Sequence, residues 1–201
     1  MRKILSGLTL AAVALAPAAA LAHPGHTHGG GDSFMQGFLH PIGGLDHILA
    51  MVTVGILAYQ IGGRALWLVP TTFLAVMAAG GLLGAAGLSF YYVEPGIAAS
   101  VVVLGVLVAL AIKPPVVATM ALVALFAVFH GYAHGIEMPA SPSTAAYAAG
   151  FMLATALLHA AGIALGLLVG RLSREQGLLS YRLAGSAVAV AGIVILTQAV
   201  N

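Results

Sequence analysis

Cysteine is missing altogether from these 201 residues. Neither a disulfide framework nor thiolate ligation is therefore available, and any metal chemistry must use nitrogen and oxygen donors. Charge is nearly as scarce: 6% of the chain is charged and 61% apolar, where a soluble domain has about 25% charged residues. That balance belongs to an integral membrane protein. No Gly-x4-Gly-Lys-Ser/Thr loop occurs, so ATP is not a direct energy source. The net charge of +2 includes Arg2 and Lys3; beyond them Arg64, Lys113, Arg171, Arg174 and Arg182 are matched by Asp32, Asp46, Glu94, Glu137 and Glu175. The basic balance thus carries no argument for a nucleic-acid partner.

At the N-terminus, Arg2 and Lys3 precede an apolar stretch from Ile4 to Leu15, then Pro17 and the small-residue exit Ala20-Leu21-Ala22. This order predicts a signal peptide over 1–22, cleaved after Ala22, with the mature N-terminus in the periplasm. A His/Gly-rich tail is expected over 23–33 and an all-α transmembrane domain over 34–201. Six apolar runs, roughly 41–61, 65–89, 95–112, 115–135, 144–170 and 179–199, have the length to cross a bilayer as helices. With an exported N-terminus every remaining Lys and Arg falls on the cytoplasmic side, whereas the opposite loops hold Glu94 and Glu137 and no base. The positive-inside rule therefore supports an even number of spans in an inner membrane.

Glycines at Gly162, Gly166 and Gly170 form a ridge at four-residue spacing, with a shorter one at Gly80 and Gly84. Such ridges let helix backbones approach closely in lipid, so a compact bundle is expected. Pro70 is expected to kink the second span, and Pro95, Pro114 and Pro115 stand near helix starts. Six spans allow a three-plus-three inverted arrangement, although no self-similarity of sequence carries it.

Ionisable groups are costly in a membrane and mark function. Two clusters stand out: His40-Pro41-Ile42-Gly43-Gly44-Leu45-Asp46-His47 at the opening of the first run, and Phe129-His130-Gly131-Tyr132-Ala133-His134-Gly135-Ile136-Glu137 at the close of the fourth. Both lie near the outer face. His130 and His134 are four apart, on one helix face, with Glu137 three further on. Neutral imidazole and carboxylate suit divalent nickel, cobalt, zinc or copper better than magnesium or calcium. The predicted metal ligands are His40, Asp46, His47, His130, His134 and Glu137. Accessory roles are open to Glu94, which is either a ligand or a helix-start carboxylate, and to His159, which is either the next station inward or a hydrogen bond to another helix. The tail residues His23, His26 and His28 are either metal collectors or a solvated spacer.

His40-x5-Asp46-His47 and Phe129-His130-Gly-x-Ala133-His134-Gly135-x-Glu137 resemble the two motifs of the HupE/UreJ proteins, nickel permeases of hydrogenase and urease systems. The resemblance covers the whole chain and places the functional positions at the same six residues. It implies a nickel uptake permease working by secondary transport or facilitated diffusion, with Ni2+ as cargo, Co2+ or Zn2+ as rivals for it, and no tightly bound cofactor. The partners expected are the ion, membrane lipid, a homo-oligomeric copy and, indirectly, hydrogenase or urease metal supply. Two other chemistries use the same residues: an intramembrane zinc hydrolase with Glu137 as general base, and a b-type haem carrier with facing histidines as axial ligands.

Overall fold

The computed structural model describes residues 33–138 and 143–200, and every regular element among them is helical. In chain order they are α1 (Ser33–Gly43), α2 (Leu45–Ile61), α3 (Ala65–Ala85), α4 (Val93–Ala109), α5 (Val116–Ile136), α6 (Thr144–Gly170) and α7 (Arg174–Ala199). The predicted signal peptide, and His23, His26 and His28, lie outside the described residues. By length and apolarity α3, α5, α6 and α7 can each cross a membrane; α4 is apolar but shorter, at 17 residues.

The first predicted span is corrected. An unbroken helix over 41–61 was the expectation, with His40 just above its start; instead α1 and α2 meet at an 82° bend, and they reach spanning length only together. Local chemistry accounts for the break. Pro41 lacks an N–H, Gly43 and Gly44 have poor helix propensity, and Gly44 adopts an extended φ of −98° and ψ of 118°. His40 is consequently carried in the last turn of α1. The other boundaries shift by a few residues, except that α7 starts five residues earlier than the apolar run at 179 because Ser173 caps it, accepting from the Gln176 N–H.

Around an apolar core that includes Met51, Leu57, Phe73 and Leu104, the bundle also buries polar side chains and turns apolar ones outward. His47, Gln60, Ser100, His130, Thr155 and His159 are buried, whereas Leu82, Leu125, Leu157 and Val190 are among many large apolar side chains on the surface. That is the arrangement a lipid solvent rewards, because polar groups find partners only inside.

Glycine decides how the helices pair. The ridge of Gly162, Gly166 and Gly170 receives α2: Gly162 lies on the Val52 carbonyl and Gly55, and Gly166 and Gly170 lie on the Tyr59 ring. Gly80 and Gly84 of α3 press on α5 at Val128 and Tyr132, while Gly131 and Gly135 press back on Met77 and Gly81. Gly105 and Gly185 join α4 to α7, and Gly37 and Gly150 join α1 to α6. Residue numbers rise together along α2 with α6 and along α3 with α5, so these pairs are parallel; α4 and α7 are antiparallel, with Ala109 at Gly185 and Val102 at Gly192. Exchanging α2–α3–α4 for α5–α6–α7 turns the first parallel pair into the second and maps α4–α7 onto itself, but the α2 backbone also comes close to α3 and α4 whereas that of α5 comes close to neither α6 nor α7 among the described residues, so the correspondence is partial.

At the end of the bundle opposite His47, the Tyr59, Gln60, Lys113, Arg174 and Tyr181 side chains line a cavity of about 560 Å³. The basic turns gather there.

Candidate metal centre

The bend at Gly44 folds α1 back so that His40 rejoins the start of α2, and α5 supplies the remaining groups from its last two turns. His40 Nε2 lies 3.0 Å from His134 Nδ1 and 3.1 Å from Glu137 Oε2, and His134 Nδ1 lies 3.7 Å from the same carboxylate oxygen. One ligand atom from each of these three residues falls within 4.8 Å of the others. Deeper, His47 Nδ1 lies 3.3 Å from His130 Nδ1 and 3.2 Å from His134 Nε2. His134 is shared, turning one nitrogen to the rim group and the other to the inner one. With metal–nitrogen bonds of about 2.1 Å, adjacent ligands of a tetrahedral or octahedral ion stand about 3.0–3.4 Å apart. The inner contacts of 3.3 and 3.2 Å and the His40 contacts of 3.0 and 3.1 Å have that spacing, while His134 Nδ1 and Glu137 Oε2, at 3.7 Å, stand wider.

Two hydroxyls set the direction of the inner imidazoles. Ser100 Oγ donates its only proton to the Ile97 carbonyl (2.6 Å) and is therefore left to accept from His130 Nε2–H at 3.0 Å. Thr155 Oγ1 likewise donates to the Phe151 carbonyl (3.0 Å) and accepts from His47 Nε2–H at a longer 3.4 Å. A neutral imidazole has one N–H. Once Nε2 holds it in both rings, the two Nδ1 atoms face each other as lone pairs, with His134 Nε2 3.2 Å from that of His47. A divalent cation is what such an arrangement accommodates, and the hydroxyl partners are the outer-shell supports that metal-binding histidines use.

The apolar surroundings are specific too. The Phe151 ring stands against three imidazoles, with centroids 6.2 Å from His40, 5.4 Å from His47 and 4.5 Å from His134. Beside His134, which helps to line it, an apolar cavity of about 580 Å³ is bounded by Met77, Leu82, Met138, Phe151 and Met152.

Asp46 and Glu94 lie outside the three-ligand group. Asp46 occupies the first turn of α2, and its carboxylate accepts from the His47 backbone N–H at 2.7 Å. Glu94 is exposed in the first turn of α4, within electrostatic reach of Asp46 and Glu137. The three carboxylates form an acidic rim. Hydrogen bonds from His134 and then His40 hold the Glu137 carboxyl well below the usual carboxylate range, so it is ionised. His159 is deeper on α6, buried, with its ring against Phe73 at 5.3 Å.

Reasoning from sequence missed Ser100, Thr155, Phe73 and Phe151. Ser100 and Thr155 were detectable as rare hydroxyls within apolar runs, where polar side chains bond between helices. The two phenylalanines had no signal, because aromatic residues are ordinary in apolar helices.

No solved structure matches this chain. Over 188 residues it is 47% identical to Protein HupE of Rhizobium leguminosarum bv. viciae, an alignment covering 94% of this chain and 95% of that protein. The family profile described as HupE / UreJ protein matches residues 10–195 and so takes in both histidine motifs and all the helices that present them. The chain belongs to the HupE/UreJ family.

Proposed function

We propose that this protein is a transition-metal uptake permease of a bacterial inner membrane, with nickel as cargo. In this reading the described helices make six spans, with α1–α2 and the 17-residue α4 each counting as one. The signal peptide over 1–22 delivers the 23–33 tail to the periplasm, the histidine end faces outward, and Arg64, Lys113, Arg171 and Arg174 lie on the cytoplasmic side.

The single observation that supports it best is the pair of Nδ1 atoms of His47 and His130, 3.3 Å apart with both Nε2 protons committed to hydroxyls. The acidic rim of Asp46, Glu94 and Glu137 attracts the hydrated ion. His40, His134 and Glu137 replace part of its water shell, and rotation about the shared His134 passes it to His47 and His130. Mixed imidazole and carboxylate donors with an incomplete shell favour release, as conduction requires. A potential of ~100 mV is worth about 4.6 kcal/mol for a divalent cation, enough for a gradient on the order of a thousandfold. No phosphate-driven step is required.

Nickel is preferred to cobalt and zinc on the family's association with hydrogenase and urease systems, since nitrogen and oxygen donors alone do not separate these ions. The zinc hydrolase has no support from the comparisons. The direct test is radiolabelled nickel uptake by cells producing the wild type or alanine variants of His40, Asp46, His47, His130, His134 and Glu137, with cobalt and zinc as competitors. Loss of uptake in variants that insert normally is the expected result. Wild-type accumulation by the His47 and His130 variants would sink the proposal.

A further inference from the structure

The centre accounts for the imidazoles of His40, His47, His130 and His134, and leaves His159 without a role. That residue is 1% exposed, and among the described residues neither of its ring nitrogens has a hydrogen-bond partner. Burying a polar group with no partner forfeits its hydration without return. A Leu or Phe of similar volume at this position would avoid that cost entirely. The hydrogen bond to another helix, which is the ordinary reason for a histidine inside a membrane bundle, is therefore not made.

Its location is informative. Thr155, one turn earlier on the same face of α6, touches His47 Nε2, so His159 is the next imidazole along that face. The Phe73 ring stands against both histidines, with centroids 5.7 Å from His130 and 5.3 Å from His159. The His159 carbonyl abuts Gly55, which is about 12 Å further along α2 than His47 at 1.5 Å per residue. The remaining unpartnered buried side-chain atom among the described residues is Gln60 Oε1, and Gln60 lines the basic-end cavity. Unpartnered buried polar atoms therefore stand at two depths below the paired histidines, at His159 and at Gln60 beside the opposite vestibule.

We propose that His159 is a separate inner metal station, whose free imidazole nitrogen takes a divalent transition-metal ion from the His47–His130 pair and releases it toward the Gln60 vestibule. The proposal rests on the permease reading. One protein nitrogen, with water completing the shell, makes a weak ligand set suited to release rather than storage. The close Gly55–Gly162 approach holds α6 and α2 together beside it.

The test uses the full chain reconstituted in liposomes that contain a nickel-sensitive fluorescent chelator, with Ni2+ binding measured by calorimetry on the same preparation. His159→Phe retains a ring against Phe73 and deletes both nitrogens. Its thermal midpoint is expected to be no lower than wild type and its Ni2+ affinity similar, because the His40, His47, His130 and His134 groups are intact, while flux falls by about tenfold or more, the scale of losing a metal-supporting group. Wild-type flux through folded His159→Phe protein would overturn the inner station and leave the permease reading standing. Absence of Ni2+, Co2+ or Zn2+ flux through the wild type would overturn the permease reading itself. If His159→Phe fails to fold, the wild-type protein labelled with 15N-histidine and titrated with diamagnetic Zn2+ decides the matter: a coordination shift of a His159 ring nitrogen supports the station, and unshifted His159 resonances overturn it.

Discussion

The Nδ1 atoms of His47 and His130 face each other at 3.3 Å across the gap between α2 and α5, and each ring has its Nε2 against a hydroxyl. The relationship couples the two sequence motifs through one pair of lone pairs. His47→Ala and His130→Ala should each reduce nickel uptake by about tenfold or more, and the double variant should lose little beyond either single one, since residues acting on one ion are strongly non-additive. A double-mutant cycle on initial uptake rates checks this; independent, multiplying losses would separate the two histidines.

The hydroxyls should matter through the rings they orient. Ser100→Ala and Thr155→Val remove the acceptors of the Nε2 protons and free each imidazole to adopt the other tautomer. Losing a hydrogen-bond partner behind a metal-binding imidazole costs about 10–100-fold in metal affinity. Ser100→Ala is expected to have the larger effect, because its contact with His130 is 3.0 Å against 3.4 Å for Thr155 with His47. Calorimetric Ni2+ titration of the purified variants, beside a thermal melt, distinguishes weakened binding from misfolding.

The rim carboxylate should stay charged throughout the range in which uptake is measured. Glu137 is held below the usual carboxylate range by His134 and His40. A group lowered in this way stabilises the folded cluster above its unfolded pKa of about 4.3, and loses that contribution only as the pH falls toward its folded value. Wild type and Glu137→Gln should therefore show pH profiles of the same shape over about pH 5 to 8. Initial rates at fixed membrane potential measure this; a step present in the wild type and absent from Glu137→Gln would place the titration of the carboxylate inside that range.

Glu137→Gln keeps the shape of the rim group and removes its charge. The half-saturating nickel concentration should rise several-fold while the maximal rate changes little, because the carboxylate attracts and partly coordinates the ion at the rim and the inner pair is untouched. Saturation curves of initial uptake at low ionic strength test this. A fall in maximal rate with unchanged half-saturation would assign Glu137 to a later step.

Packing predictions follow from the glycines. A Cβ at Gly131 would run into the Met77 backbone, and one at Gly162 into Val52, whereas one at Gly43 meets nothing within 4 Å. Gly131→Ala and Gly162→Ala should each destabilise the bundle by about 1–3 kcal/mol, the usual cost of overpacking, and Gly43→Ala should be neutral or slightly stabilising. Thermal melts in detergent of all three variants decide it.

Much of the candidate centre was legible in the chain because few residue types survive in an apolar sequence without a purpose. Two His-rich motifs, one opening an apolar run and one closing another, are conspicuous when only 6% of residues are charged. The ridge of Gly162, Gly166 and Gly170 was equally readable, since four-residue spacing alone puts all three on one helix face. The break at Gly44 was not read, although Pro41, Gly43 and Gly44 marked it, because hydropathy is blind to backbone direction. Nor could spacing reveal that Asp46 bonds the His47 backbone while His40, His134 and Glu137 gather as a group.

Composition and periodicity by themselves determined that the chain is helical, lipid-solvated and equipped with nitrogen and oxygen donors rather than sulfur, because these properties depend on residue type and on distances along the chain. The tertiary structure alone decided that α1 folds back to return His40, that Ser100 and Thr155 orient His130 and His47, that α2 and α6 are parallel as α3 and α5 are, and that His159 is buried with no hydrogen-bond partner among the described residues. Those are relations between residues dozens of positions apart. They exist only once glycine-to-backbone contacts have chosen which helices touch and in what register.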